Sequence, residues 1–155
     1  MKKWMFAALL SMAMLIVCVP VKMYAAENAT TLTVENVYAD PGSRVTVNVD
    51  ISGNPGVLGA TLTATWDDGL TLVGSSNGAA FSELTYLAPS RYTSGCNFVW
   101  YGSSLKNITD GTVLSLDFVV SETAKSGDNY CVNISYDERD VLDEDYNQVI
   151  APCNP

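Results

Sequence analysis

The sequence contains no histidine. That removes an imidazole base for any serine or cysteine nucleophile, and it removes the histidine-containing zinc sets. Bases are scarce too: eight Lys and Arg stand against 17 Asp and Glu, a formal net charge of −9. A surface of that sign repels phosphate backbones and anionic lipid, which argues against nucleic-acid and membrane-surface partners. Cysteines are few and far apart, at positions 18, 96, 131 and 153. Beyond residue 26 no segment sustains a helical apolar period, which excludes a helical bundle. No repeat of about 20–50 residues is present, which excludes solenoids and propellers. Asp67 and Asp68 are adjacent, so on a strand they would point to opposite faces. That arrangement does not make the paired carboxylates of a glycosidase.

The one long hydrophobic run comes first. Lys2 and Lys3 precede an apolar stretch from Trp4 to Val19, and Ala25 and Ala26 follow shortly before Glu27. A basic start, an apolar middle and small residues at the end form the layout of a secretory signal peptide, residues 1–26. The run is shorter than the roughly 20 residues of a membrane span. Cys18, behind Leu15, Ile16 and Val17, lacks the small preceding residue expected before a lipid-bearing cysteine. Cleavage after Ala25 or Ala26 removes Lys2, Lys3 and Lys22 and no acid. Residues 27–155 then carry five bases, 17 acids and a net charge of −12. An exported chain can form disulfides. Cys96, Cys131 and Cys153 allow at most one internal bridge, in any of three pairings, with one thiol left over.

What remains reads as strands. In Arg44 to Ile51 the residues Val45, Val47, Val49 and Ile51 alternate with Arg44, Thr46, Asn48 and Asp50, the period of a half-buried strand. Thr30 to Tyr38, Val57 to Trp66, Leu70 to Val73, Leu84 to Ala88, Cys96 to Tyr101, Thr112 to Val120 and Tyr130 to Tyr136 are further strands, and Asp140 to Ile150 is a hairpin turning near Glu144 to Asn147. Gly74 to Ala80 reads as a loop, and Phe81 to Tyr86 as a short helical turn. Asp40-Pro41-Gly42, Ser52 to Gly56, Asp67 to Gly69, Asp110-Gly111 and Ser126 to Asp128 supply turns at intervals of about 8–12 residues. The expectation is all-β: one nine-stranded antiparallel β-sandwich. Trp66 and Trp100 fall on the inward phase of their strands and read as core, not as a sugar-stacking platform.

The order of these motifs resembles the cohesin family, the receptor modules of cellulosome-type assemblies. The resemblance rests on Val37 to Val47 around its Pro-Gly turn, on Asn54-Pro55-Gly56-Val57-Leu58-Gly59-Ala60, and on Thr61 to Asp67 followed by Leu70-Thr71-Leu72. It continues through Phe98 to Gly102, Asp110 to Leu114, Gly127 to Tyr130 and Asp140 to Asp143. It spans about residues 30–150. What the resemblance implies is a jelly-roll sandwich and a non-catalytic function: binding a dockerin-bearing protein in an extracellular assembly. It implies no cofactor in this chain, with calcium expected on the dockerin. Dockerins dock on one flat sheet made mainly of the family's strands 8, 3, 6 and 5. Carried onto this sequence, the outward residues are Thr61, Thr63 and Thr65, then Asn97, Val99, Tyr101 and Ser103, with Leu87 from strand 5 and Tyr146 from the strand 8 edge. Better-known cohesins often present Asn and Asp where this chain has Gly59 and Thr61, which alters what the partner must supply.

Three other readings stay open. Asp143-Glu144-Asp145-Tyr146-Asn147 resembles the start of a calcium loop, but the sixth and twelfth positions are Gln148 and Asn154 instead of Gly and Glu. A solvated hairpin accounts for it, with a weaker structural calcium site left open. A carbohydrate-binding module would need a row of exposed aromatics, for which Tyr86, Tyr92 and Tyr101 are the candidates. A generic Ig-like adhesin would bind neither dockerin nor sugar.

Overall fold

The computed structural model describes residues 30–103, 109–137, 139–143 and 145–149. The expected signal peptide and Cys153 lie outside these residues.

Among the described residues nine strands form two antiparallel sheets. The first sheet has the order β1-β2-β7-β4, from Thr31–Val34, Arg44–Ser52, Gly111–Val120 and Leu70–Asn77. The second has the order β5-β6-β3-β8, from Thr85–Leu87, Cys96–Tyr101, Gly59–Trp66 and Val132–Ser135. A two-residue β9, Val141–Leu142, joins the same edge of β3. From β2 to β8 the chain passes back and forth between the sheets, and sequence-distant strands become neighbours, as in a jelly roll.

Alternation drives the closure. Val47, Val49 and Ile51 of β2, Leu62 and Ala64 of β3, and Phe98 and Trp100 of β6 are all buried, while the residues between them are not. The inner faces of two such sheets meet as one core. Trp66 packs edge-on against Phe118, centroids 5.5 Å apart, and Trp100 packs edge-on against Phe81 at 5.6 Å. Each such pair contributes about 0.5–1.5 kcal/mol beyond its area burial. The Trp100 indole N–H donates to Asn77 Oδ1 at 2.8 Å, so its one polar atom is satisfied inside the core.

Two bulges explain where the simple alternation fails. Val113 and Leu114 are consecutive in β7 yet both buried, because the register with β2 shifts between Val49 and Asp50. The extra residue lets both side chains face inward. In β4 the register shifts between Leu72 and Gly74, which leaves Val73 unpaired. The expected loop at Gly74 to Ala80 is therefore corrected: β4 resumes after the bulge and pairs Gly74 to Asn77 with Asp117 to Leu114. Small polar residues hid that continuation. The expected helical turn also moves, to a 3-10 turn at Ala79–Phe81. Strand β1 stops at Val34, short of Tyr38, and Asp40-Pro41-Gly42 forms the expected turn, with Gly42 at φ 73 and Ser43 N–H donating to Asp40 O at 3.1 Å.

Candidate functional site

The outer face of the second sheet is set by the same alternation that fills the core. With Ala60, Leu62 and Ala64 inward, Gly59, Thr61, Thr63 and Thr65 must face out. With Cys96, Phe98 and Trp100 inward, Asn97, Val99 and Tyr101 face out. Tyr86 is turned inward, so Thr85 and Leu87 are the outward residues of β5.

Register joins these residues into rows across the sheet. Thr85, Tyr101, Gly59 and Leu142 form one row, through the β5–β6, β6–β3 and β3–β9 pairings. Leu87, Val99 and Thr61 form the next, closed by Asp140, whose carbonyl accepts from Thr61 N–H at 2.8 Å. Asn97, Thr63 and Ser135 form the third, where Thr63 Oγ1 donates to Asn97 Oδ1 at 2.9 Å. Thr65 faces Asn133 in the fourth. The face thus grades from apolar at the Tyr101 end to hydroxyl and amide at the Thr65 end. Leu87 is 50% exposed and Tyr101 52% exposed, both large apolar residues left in water. No outward residue of β5, β6, β3 or β8 is charged, on a chain whose net charge is −9.

Eight of the nine expected site residues therefore lie on this sheet or at its end: Thr61, Thr63, Thr65, Leu87, Asn97, Val99 and Tyr101 on the strands, and Ser103 exposed just past β6. Tyr146 is the exception. It sits not on β8 but in the turn after β9, 73% exposed and at φ 61, a left-handed conformation more usual for Gly or Asn. That turn is held by Asp143, whose Oδ1 accepts from Asp145 N–H at 2.9 Å and Asn147 N–H at 2.8 Å, and whose Oδ2 accepts from the Asn147 amide at 3.2 Å. The Asn147 backbone bond leads in holding the Asp143 carboxyl below its ordinary value. The calcium-like spacing thus serves a hairpin turn, with Asp143 engaged by its own backbone.

Sequence reasoning missed Thr85, Asn133, Ser135 and Leu142. Asn133 and Ser135 were readable from the alternation of β8. Leu142 was not, because an outward leucine on a two-residue strand carries no periodic signal.

The remaining chemical candidates resolve into structure. The expectation that Gly-x-Ser-x-Gly is absent is corrected: that spacing occurs at Gly74 to Gly78, but it lies along β4 with Ser76 paired to Ser115. A nucleophile elbow needs a sharp strand-to-helix turn, and the chain has no histidine to serve it. Tyr86 and Tyr92 do not join Tyr101 in a platform. Tyr86 lies against Trp100 with centroids 5.2 Å apart, and the hydroxyls of both tyrosines bond Ser75 Oγ, at 2.8 and 3.0 Å. Burial raises the Tyr86 pKa above its ordinary value. Asp67 Oδ2 accepts from Cys131 N–H at 2.8 Å, a tie between loops. Cys96 is buried and Cys131 exposed, and neither is in a disulfide. Among the described residues no helix is long and apolar enough to cross a membrane. An open cleft is lined mainly by residues 34–41 and 124–133, with Asn133 of β8 at its border with the flat face.

No family model matches the chain, and no curated protein matches its sequence. Solved structures do match. The sixth cohesin of scaffoldin B from Acetivibrio cellulolyticus, solved in complex with a mutant Cel5 dockerin, superposes with a TM-score of 0.67 at 24% identity, over 79% of this chain and 92% of that one. A non-cellulosomal cohesin from Archaeoglobus fulgidus gives 0.61 at 19% identity, over 78% and 83%. A type III cohesin from the cell-surface anchoring scaffoldin of Ruminococcus flavefaciens gives 0.61 at 22%, over 78% and 73%. The chain has the cohesin fold.

Proposed function

We propose that this chain is a non-catalytic receptor module that binds a dockerin on the outer face of its β5-β6-β3-β8 sheet. The observation that carries the reading is the uncharged face itself: Leu87, Val99, Tyr101 and Leu142 cluster at one end of it, on an otherwise acidic protein. Core positions of interfaces are depleted in charge and enriched in tyrosine. A standard interface buries about 800 Å² per partner, a size that a four-stranded face can offer without any pocket. The cohesin fold supports the same reading, since several similar structures are cohesin–dockerin complexes. The sugar-binding alternative is disfavoured by the inward turn of Tyr86 and Tyr92. Calcium belongs to the dockerin in this proposal, and the module works outside the cell, delivered by the expected signal peptide.

The test is binding of the purified protein to a panel of dockerins, first with calcium and then with chelator. Retention of at least one dockerin, lost on chelation, is the expected result. A folded protein that stays silent across the panel, or that is retained on a polysaccharide instead, contradicts the proposal.

A further inference from the structure

Two copies of an acidic chain repel each other, but not equally on every side. The outward residues of the first sheet include Asp50 and Asp117, each between buried neighbours on its strand. Cross-strand bonds hold both carboxylates on that face: Asp50 Oδ1 accepts from Thr112 Oγ1 at 2.7 Å, and Asp117 Oδ1 accepts from Thr46 Oγ1 at 2.6 Å. Two copies stacked there would set carboxylate against carboxylate, and like charges brought together at an interface are penalised. The outer surface of β6 and β3 carries no charge. It presents Asn97, Val99 and Tyr101 beside Gly59, Thr61, Thr63 and Thr65. On that surface two copies of this chain can meet without opposing carboxylates.

The shape of the surface matches itself. Tyr101 and Gly59 are directly opposite in the β6–β3 pair, so a ring that is 52% exposed stands next to a position with no side chain. A two-fold axis running along the strands, midway between β6 and β3 and just above the sheet, exchanges the two positions. It lays β6 of one protomer over β3 of its partner, with Tyr101 over Gly59, Val99 over Thr61 and Asn97 over Thr63. Each contact then occurs twice. Stacked sheets stand about 10 Å apart, a gap that tyrosine facing glycine fills and tyrosine facing a second large side chain would overfill. Within each protomer Thr63 Oγ1 donates to Asn97 Oδ1 at 2.9 Å, a bond that leaves the Asn97 amide N–H groups to donate across the interface.

We propose that this chain, with no other partner bound, forms a symmetric dimer through the outer β6–β3 surface, the Tyr101 ring of each protomer seated over Gly59 of the other. The inference goes beyond the docking reading and stands or falls separately from it. The surface is that of a standard interface, short of the total of about 2,000 Å² or more that obligate dimers bury. The dimer is therefore weak and reversible. Its effect is to cover the apolar end of the face until a tighter partner displaces the second copy.

The experiment is analytical ultracentrifugation of the purified protein alone, from about 10 μM to about 1 mM, the range of weak dissociation constants. Gly59→Arg and Tyr101→Ala are run beside it, with thermal unfolding confirming that both are folded. Amide NMR spectra are recorded over the same range. The wild type should pass from monomer to dimer as concentration rises. The Gly59, Val99 and Tyr101 amides should shift with concentration, while those of Thr46 and Thr71, on the other sheet, stay fixed. Both variants should remain monomeric at the highest concentration. A wild type that is monomeric throughout, or that dimerises with shifts confined to the first sheet, overturns the inference. A dimer that either variant retains in full overturns it too. Each of those results leaves the docking reading to the dockerin panel, and silence across that panel in turn leaves the dimer standing.

Discussion

Gly59 lies directly across the β3–β6 ladder from Tyr101, so the face's largest exposed ring has no side chain beside it on the β3 flank. A Cβ added at Gly59 would meet only Trp100 O, at an ordinary 3.6 Å. The position is glycine without steric need, which fits a surface kept open for a partner. Gly59→Arg should therefore fold with unchanged thermal stability and lose dockerin binding by at least tenfold. Unaltered binding would mean that the Tyr101 row is not covered by the partner.

Gly78 is the opposite case. A Cβ there would stand 2.0 Å from Thr112 O and 2.3 Å from its carbonyl carbon, both backbone atoms of the neighbouring strand. Gly78→Ala should abolish soluble folded protein, judged by near-UV circular dichroism, while Gly59→Ala is silent. Equal behaviour of the two variants would contradict the packing described at the β4–β7 junction.

Asn77 accepts the Trp100 indole N–H and donates to Phe81 O at 2.9 Å. Asn77→Ala leaves a buried donor without its partner, a loss of about 1–3 kcal/mol. Urea unfolding should show that decrease with an unchanged m-value.

The two described thiols should differ in reactivity. Burial pushes the Cys96 thiol above its ordinary pKa and shields it, and the thiolate is the reactive form. Brief alkylation of the native protein followed by peptide mapping should find Cys131 modified and Cys96 intact, with Cys96 reacting only in denaturant. Comparable labelling of both would show that the β6 edge opens readily.

The Asp143 turn should respond to acid in one direction. Its carboxyl titrates below the ordinary value of 3.8, because backbone and side-chain N–H groups of the turn favour the charged form. A depressed folded pKa means the stabilisation is complete above about pH 4 and is lost as pH falls through the lowered value. Amide resonances of Asp145 and Asn147 should hold their positions down to that range and then move together. Asp143→Ala should remove the transition.

Most of this architecture was legible because two-residue alternation is a direct consequence of one buried face. Arg44 to Ile51 and Cys96 to Tyr101 could be read to within a residue, and the outward set of β6 followed at once. The signal weakened where the chain breaks that rule. The bulge at Val73 hid the second half of β4 behind Gly74, Ser75 and Ser76, which look like a loop and yet pair with β7. Tyr146 was placed on the strand 8 edge by the family resemblance, where the correspondence in sequence is loosest. It occupies a left-handed turn position instead, where local hydrogen bonds to Asp143 decide the backbone. Leu142 was invisible for the opposite reason: it obeys the sheet, but on a strand too short to show a period.

The central claim is that the dockerin covers the outer β5-β6-β3-β8 face. The most direct test is calorimetric titration of one calcium-loaded dockerin into Tyr101→Ala, Leu87→Asp and, as the control on the other sheet, exposed Thr71→Asp. Residues at the centre of an interface typically cost about 2 kcal/mol or more on truncation. Tyr101→Ala and Leu87→Asp should each weaken binding by about thirtyfold or more, while Thr71→Asp binds as the wild type does. Loss of binding by Thr71→Asp alone, with the other two unaffected, would place the partner on the opposite sheet and contradict the account.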